Sequence, residues 1–257
     1  CDWSSDVCSS DLIGQHLLNH FKQNAIPLFK GDIDLFSFTE IEKFLKDDYV
    51  VINCVTFGGK KQLSSNDLKI LQDNLYVFNN FYKNRSRLKR YINIGSGAEL
   101  TSKLSSYTVS KKAISDFCET TDKFYSLRLF GCFGTGEPSF RLFSSYMKEP
   151  DDFEFELQDK MFDNISVQDF CKIVDFFVHE TSPPFKIMDC VYEEKLSVFD
   201  QIKALKKITG KSRPITLSRG NDYIGCGKDL KSLQLPLSGF DEGIKRSEEH
   251  TSELQSH

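Results

Sequence analysis

Residues 90–111, RYINIGSGAELTSKLSSYTVSK, decide how the rest of the chain is read. The apolar residues Tyr91, Ile92 and Ile94 predict a short buried strand that breaks at Gly95 and Gly97. Ser96 stands at that break, where a strand end presents a side chain to a cleft. After a polar loop, Tyr107 and Lys111 stand four apart, and on a helix that spacing puts both on one face. An ammonium beside a phenol favours the phenolate, so the pair predicts a tyrosine pKa lowered towards neutrality. A tyrosine tuned in this way passes a proton to or from a carbinol oxygen, with the serine hydroxyl holding that oxygen.

The two ends are set aside before the chain is taken in order. Residues 2–12 read DWSSDVCSSDL and residues 246–256 read RSEEHTSELQS. One set of codons for the first, read in frame as its reverse complement, encodes the second. Both resemble a translated sequencing adapter. Residues 1–12 and 246–257 are therefore expected to be adapter-derived, and the native segment to run from about Ile13 to Lys245. Without Asp2, Asp6, Asp11, Glu248, Glu249 and Glu253 the acids fall from 37 to 31. Without Arg246 the bases fall from 33 to 32, and the net charge moves from −4 to +1.

A near-neutral chain with no basic run argues against a nucleic-acid or membrane-surface role. No apolar run approaches a membrane span. Phenylalanine at 23 positions, at helix and strand spacing, reads as core rather than as a platform for bases. Cys54, Cys118, Cys132, Cys171, Cys190 and Cys226 are scattered without Cys-x-x-Cys, which fits reduced thiols in a cytoplasm. His16, His20 and His179 are too dispersed for a metal cluster, so no metal site is expected.

Ser96, Tyr107 and Lys111 together resemble the catalytic set of the extended short-chain dehydrogenase/reductase family, the NAD(P)-dependent epimerases, dehydratases and reductases of nucleotide sugars. The resemblance continues on both sides. Residues 13–24, IGQHLLNHFKQN, resemble the helix after the family's glycine loop, with Gly14 as the third glycine. The first two would fall at Cys8 and Asp11, and Asp11 would set a carboxylate beside phosphates that want backbone N–H groups. Residues 25–30, AIPLFK, read as the second strand. Lys30 at its end favours NADP slightly over NAD, unless it is only a solvated lysine.

The resemblance makes Asp34 and Leu35 adenine neighbours, and puts Cys54 and Val55, at the end of the buried strand 49–55, beside the cofactor. A long helix over 63–85 carries Asn74, which matches an asparagine supporting the active-site strand and is counted with the cofactor set. Residues 124–136 match the family's strand and turn past the nicotinamide at Arg128 and Gly134, with Gly131 and Phe133 departing from it. Val167-Gln168-Asp169 stands for a Val-Asp-Asp that opens a helix. Lys160 lies near the place where some relatives hold a phosphate-binding arginine, so it joins Ser96 as a substrate-binding residue. Residues 223–245 resemble the family's closing helix.

The implied fold is α/β, a Rossmann-like doubly wound parallel sheet with a small C-terminal substrate lobe. Residues 13–138 would form the NAD(P)-binding domain and 139–245 mainly the lobe, with a helix near 167–178 packing back. The implied function is an epimerase or reductase of a nucleotide-linked sugar using NAD or NADP, cytoplasmic, with a homodimer allowed. Gly97 and Ala98 stand where dehydratases carry acids and where fucose synthases carry a cysteine, so 4-epimerisation or ketone reduction fits better. The competing reading is a cofactor-binding sensor that does no chemistry; turnover separates the two.

In the family's strand order 3-2-1-4-5-6-7 the first strand is central, and here the polar residues 2–12 stand in its place. Unpaired buried backbone groups cost about 1–3 kcal/mol each, against a usual margin of about 5–15 kcal/mol. The chain as written is therefore expected to be poorly soluble and not to bind NAD(P). Restoring a glycine-loop strand ahead of Ile13 should rescue both properties. A cooperative melt with micromolar cofactor binding from the unmodified chain would contradict this.

Overall fold

The computed structural model describes residues 12–28, 31–58 and 67–255 of the chain. In chain order its elements begin with α1 (Leu12–Phe21), α2 (Phe38–Phe44), β1 (Tyr49–Asn53), α3 (Leu68–Lys83), β2 (Leu88–Ser96) and α4 (Ser106–Thr120). Next come β3 (Phe124–Leu129), β4 (Cys132–Phe133), α5 (Leu142–Lys148), β5 (Phe155–Asp159), β6 (Ile165–Ser166) and α6 (Val167–His179). The last are β7 (Ile187–Asp189), α7 (Val198–Thr209), β8 (Ile215–Arg219), α8 (Lys228–Ser232) and α9 (Phe240–Gln255). The chain divides into two compact units, Cys1–Leu129 with Val174–Met188, and Phe130–Ile173 with Asp189–His257.

The first unit is built on a sheet of order β1-β2-β3-β7, in which β1, β2 and β3 run parallel. Parallel strands need helical crossovers, which cover both faces and make each strand a continuous apolar run. Strand β2 shows the result, being buried at every residue except Lys89. On one face Phe78 and Phe81 of α3 and Ile114 and Cys118 of α4 close over Tyr91 and Phe124. The Tyr91 and Phe124 rings stack at 4.7 Å.

On the other face Phe177 of α6 meets Tyr125 edge-on at 5.6 Å. The Arg90 guanidinium donates to the carbonyls of Phe177, Glu180 and Thr181, just where α6 ends. A cation there satisfies carbonyls that the helix leaves open and complements its dipole. This is the doubly wound, Rossmann-like arrangement that the sequence implies, and its order is the 4-5-6-7 half of the expected sheet.

The strand expected over 25–30 does not form across residues 25–28, while Phe29 and Lys30 lie outside the described residues. Pro27 has no N–H to give to a ladder. Among the described residues no strand pairs with the outer edge of β1 that could draw this segment in. A cavity of about 430 Å³ lies along that edge, lined by Leu17 and Leu18 of α1, Ile26, Leu28, Val50 and Ile52 among others. Strand β1 is correspondingly half-buried over its first four residues. The helix expected over 63–85 runs from Leu68, where the Asp67 side chain caps it by accepting from Lys69 N at 2.9 Å; residues 63–66 lie outside the described residues.

The second unit pairs β4 with β6 and β5 with β8, each parallel. Its core gathers Phe133, Phe143, Tyr146, Phe155, Leu205 and Ile244, with Phe133 and Phe143 stacked at 4.4 Å. Asp169, in the first turn of α6, accepts from Ser238 N (2.8 Å), Gly239 N (2.9 Å) and Tyr192 Oη (2.8 Å) and pairs with Lys172. Burial alone would raise its pKa, but these bonds outweigh burial and hold the carboxyl below its usual value. Among the described residues no helix is long and apolar enough to cross a membrane, and no cluster of side chains could hold a metal.

Glu137 sits under α5, accepting from Ser144 N at 3.1 Å and lying 3.4 Å from Arg141 Nε. Burial pushes its pKa up from 4.5 to about 7, against the opposing pull of Arg141, Ser144 and Lys148. Between those values the folded state binds more protons than the unfolded one. Stability therefore falls as pH rises from about 4.5 to about 7, and the loss is complete above that. In the chain given a glycine-loop strand ahead of Ile13, Glu137→Gln is expected to flatten this slope in thermal melts across that range. An unchanged slope would show that other groups set it.

Candidate active site

Strand β2 ends in a short 3-10 turn over Gly97–Leu100, and the turn is tied by its own side chains. Ser96 Oγ accepts from Ala98 N at 3.2 Å, while Glu99 Oε1 accepts from Ser96 N at 2.8 Å. This reciprocal capping box satisfies N–H groups that a helix start leaves open. The other Glu99 oxygen pairs with Arg128 Nε of β3 at 2.8 Å, and the carboxylate has no exposure to solvent. Gly95 makes room for it: a Cβ there would stand 2.8 Å from both Glu99 Oε1 and Ser126 Oγ.

Helix α4 opens with a second reciprocal cap, in which Ser105 Oγ accepts from Thr108 N (3.1 Å) and Thr108 Oγ1 accepts from Ser105 N (2.8 Å). Its register against the sheet is held by buried hydroxyls. Ser115 Oγ lies 2.8 Å from Ser126 Oγ, which in turn accepts from Asn93 Nδ2 at 3.1 Å. On this frame the Tyr107 phenol lies close enough to the Ser96 hydroxyl for that hydroxyl to weigh on its ionisation. Lys111 Nζ donates to Ile94 O at 2.9 Å and lies 6.0 Å from the centre of the Tyr107 ring. Ser96, Tyr107 and Lys111 thus come together at the carboxyl end of β2.

The expected lowering of the Tyr107 pKa is overturned. Burial is the largest cause and raises it; the hydrogen bond from Ser96 opposes, and the Glu99 carboxylate raises it further. The spacing argument counted the ammonium and could not see the low-dielectric surroundings.

Asn74 is a brace as the structure places it. Its Oδ1 accepts from Phe57 N (3.0 Å), and its amide donates to Phe57 O (2.9 Å), Ile70 O (2.9 Å) and Ser110 Oγ (3.1 Å). It therefore joins the loop after β1 to α3 and α4. In that loop Gly58, at φ +86°, approaches so closely that a Cβ would stand 2.9 Å from Ile70 and 3.4 Å from the Tyr107 ring.

Of the other residues singled out in the sequence, Gly14, Leu35, Cys54 and Val55 are brought together as part of the lining of the cavity along β1, which includes none of Ser96, Tyr107 and Lys111. Asp34 is exposed and accepts from Phe36 N at 2.9 Å. Lys160 belongs to the second unit, its ammonium 5.2 Å over the Phe162 ring. Lys30 lies outside the described residues.

The sequence reading missed Glu99 and did not pair it with Arg128. The signal was present, since Ser96-Gly97-Ala98-Glu99 has the Ser-x-x-Glu spacing of a capping box. A nicotinamide nucleotide is compatible with what is present. The Lys111 ammonium and the Tyr107 phenol suit a ribose diol, and the cavity beside Leu35 and Val55 offers an apolar wall for a base. The residues ahead of Leu12, where a phosphate loop would fall, lie outside the described residues.

Fold and site together define a Rossmann-like protein with a Ser-Tyr-Lys cluster at a strand end. The sequence matches no family model and no curated protein. Solved structures share the fold. A GDP-mannoheptose C4 reductase from Campylobacter jejuni with NADP bound superposes with a TM-score of 0.76 at 15% identity, over 94% of this chain and 96% of that one. A GDP-L-fucose synthetase from Naegleria fowleri bound to NADP gives 0.73 at 14%, covering 96% and 92%. A UDP-glucuronic acid 4-epimerase from Bacillus cereus in complex with NAD gives 0.71 at 18%, covering 96% and 97%. Identities this low establish the fold alone.

Because Gly95 faces two groups that are themselves hydrogen-bonded, Gly95→Ala is expected to destabilise the protein by roughly 1–3 kcal/mol. Thermal melting of the chain given a glycine-loop strand ahead of Ile13 measures this, and an unchanged midpoint would mean that the Glu99 turn gives way freely.

Proposed function

We propose that the chain is an NAD(P)-dependent reductase or epimerase acting on a nucleotide-linked sugar. One observation carries the reading: Ser96, Tyr107 and Lys111 meet at the carboxyl end of a central parallel strand, where open α/β sheets bind ligands. The names of the structural neighbours, with their NAD or NADP and their GDP- or UDP-linked sugars, support the substrate class. Lys160 is assigned to the nucleotide, the second unit to the sugar side, and Lys30 to a preference for NADP. Among the described residues the cysteines form no disulfide, which suits a reducing cytoplasm.

In this reading the nicotinamide, when bound, supplies or takes up the hydride. The Ser96 hydroxyl, held by Ala98 N–H, orients the sugar oxygen at the reacting carbon. The Tyr107 phenol passes a proton to that oxygen or takes one from it. Lys111, fixed by Ile94 O, keeps a positive charge beside the ring and is placed to hold the ribose. Neither Gly97 nor Ala98 brings the extra acid that elimination of water would need.

Tyr107→Phe, in the chain given a glycine-loop strand ahead of Ile13, is expected to cut turnover by about two to four orders of magnitude. Cofactor affinity should change little, because the phenol oxygen is a minor part of that contact. Turnover like that of the parent would remove Tyr107 from the mechanism.

A further inference from the structure

Glu99 is a buried acid three residues from the proposed catalytic serine, and the function as stated so far gives it nothing to do. It belongs to the site by geometry. One oxygen takes the Ser96 N–H at 2.8 Å, and the other is held by Arg128 at 2.8 Å. The same turn puts Ala98 N–H on Ser96 Oγ at 3.2 Å and so fixes the hydroxyl at the strand end.

We propose that Glu99, anchored by Arg128, is a positioning residue of the reaction: it fixes the turn that aims Ser96 and sets the site to deliver a proton, as reduction of a ketone requires. This deepens the proposed function and rests on it.

The charges around Tyr107 decide the direction. Lys111 lies on its own helix, Glu99 on the turn after β2, and Arg128 on β3, paired with Glu99. From the other side α3 brings Ile70 and the loop after β1 brings Gly58, neither of them charged. Asn74, which bonds Ser110 of the same helix, is also neutral. Burial and the nearby carboxylate both keep the proton on the phenol. A protonated phenol suits an enzyme that ends its chemistry by giving a proton away. An epimerase must first take one from the carbinol, and Glu99 opposes that step.

In the reduction, a reduced nicotinamide, when bound, would supply a hydride to the carbonyl carbon and would be oxidised in doing so. The carbonyl π pair moves to oxygen, and the Tyr107 proton follows it. The products are the secondary alcohol, the oxidised cofactor and a tyrosinate that solvent reprotonates. The Ser96 hydroxyl, set by the turn, holds the carbonyl oxygen throughout.

The test reads the ionisation of Tyr107 directly, without turnover. Phenolate absorbance is titrated in the chain given a glycine-loop strand ahead of Ile13 and in its Tyr107→Phe variant, and the difference isolates this residue from the other tyrosines; circular dichroism at each pH restricts the comparison to folded protein. Glu99→Gln is expected to move the Tyr107 titration down by about one unit or more. Arg128→Gln, which leaves the Glu99 charge unanswered, should move it up, and this variant carries the test if the first does not fold. In the same chain the alkaline limb of the kcat/KM profile for ketone reduction should fall with Glu99→Gln by the same amount, and Glu99→Asp should return it. A titration of Tyr107 that is the same in folded Glu99→Gln or folded Arg128→Gln as in the parent overturns the proposal. Because the titration needs no substrate, it separates a failure of the Glu99 assignment from a failure of the enzymatic reading.

Discussion

One carboxylate without access to water holds the site together. Glu99 accepts the Ser96 N–H and pairs with Arg128, so a single side chain joins the end of β2, the turn after it and the neighbouring strand β3. A buried charge costs several kcal/mol unless it is paired and fully hydrogen-bonded. Here both oxygens are engaged, and the cost of losing either partner keeps the turn in one conformation. The residue aimed by that turn is Ser96. The bonds that keep the fold from an unpaired charge are also the bonds that place the hydroxyl.

Helix α4 is fixed with the same economy. Apolar packing through Ile114 and Cys118 draws it onto the sheet but leaves its rotation and register loosely specified. Buried polar contacts supply what packing leaves open: Asn74 on Ser110, Ser115 on Ser126, and Lys111 on Ile94 O. Each is short and directional, and in a low-dielectric interior a misplaced partner would be left unsatisfied. Tyr107 lies one turn ahead of Lys111 and is carried to Ser96 by that alignment. The contrast with the far side of the sheet is plain. There β1 is half-buried, and among the described residues a cavity lies along its edge.

Much of this was legible in the sequence because the signals were periodic. The apolar residues in 91–94 mark a strand buried on both faces, which runs on through the expected break at Gly95 and ends before Gly97, while the four-residue step from Tyr107 to Lys111 marks one face of a helix that forms where the spacing puts it. Residues 25–30 read as a strand by composition, but strands exist only in pairs, and no neighbour stands beside this one among the described residues. The sign of the Tyr107 shift was misread for a related reason. Charge is visible in a sequence, whereas burial is a property of everything that folds around the residue. Glu99 was legible as a cap, but its pairing with Arg128 joins positions 29 residues apart and needed the parallel register of β2 on β3.

The account stands most directly on hydride delivery to a sugar carbon beside Tyr107. The decisive measurement supplies the chain, given a glycine-loop strand ahead of Ile13, with a 4-keto nucleotide sugar and nicotinamide cofactor deuterated at the transferable position, and follows the label by mass spectrometry and NMR. The account predicts one deuterium per turnover on the new carbinol carbon, with the adjacent oxygen protonated from water by way of the tyrosine. A keto sugar that binds while all the label stays in the cofactor would contradict it.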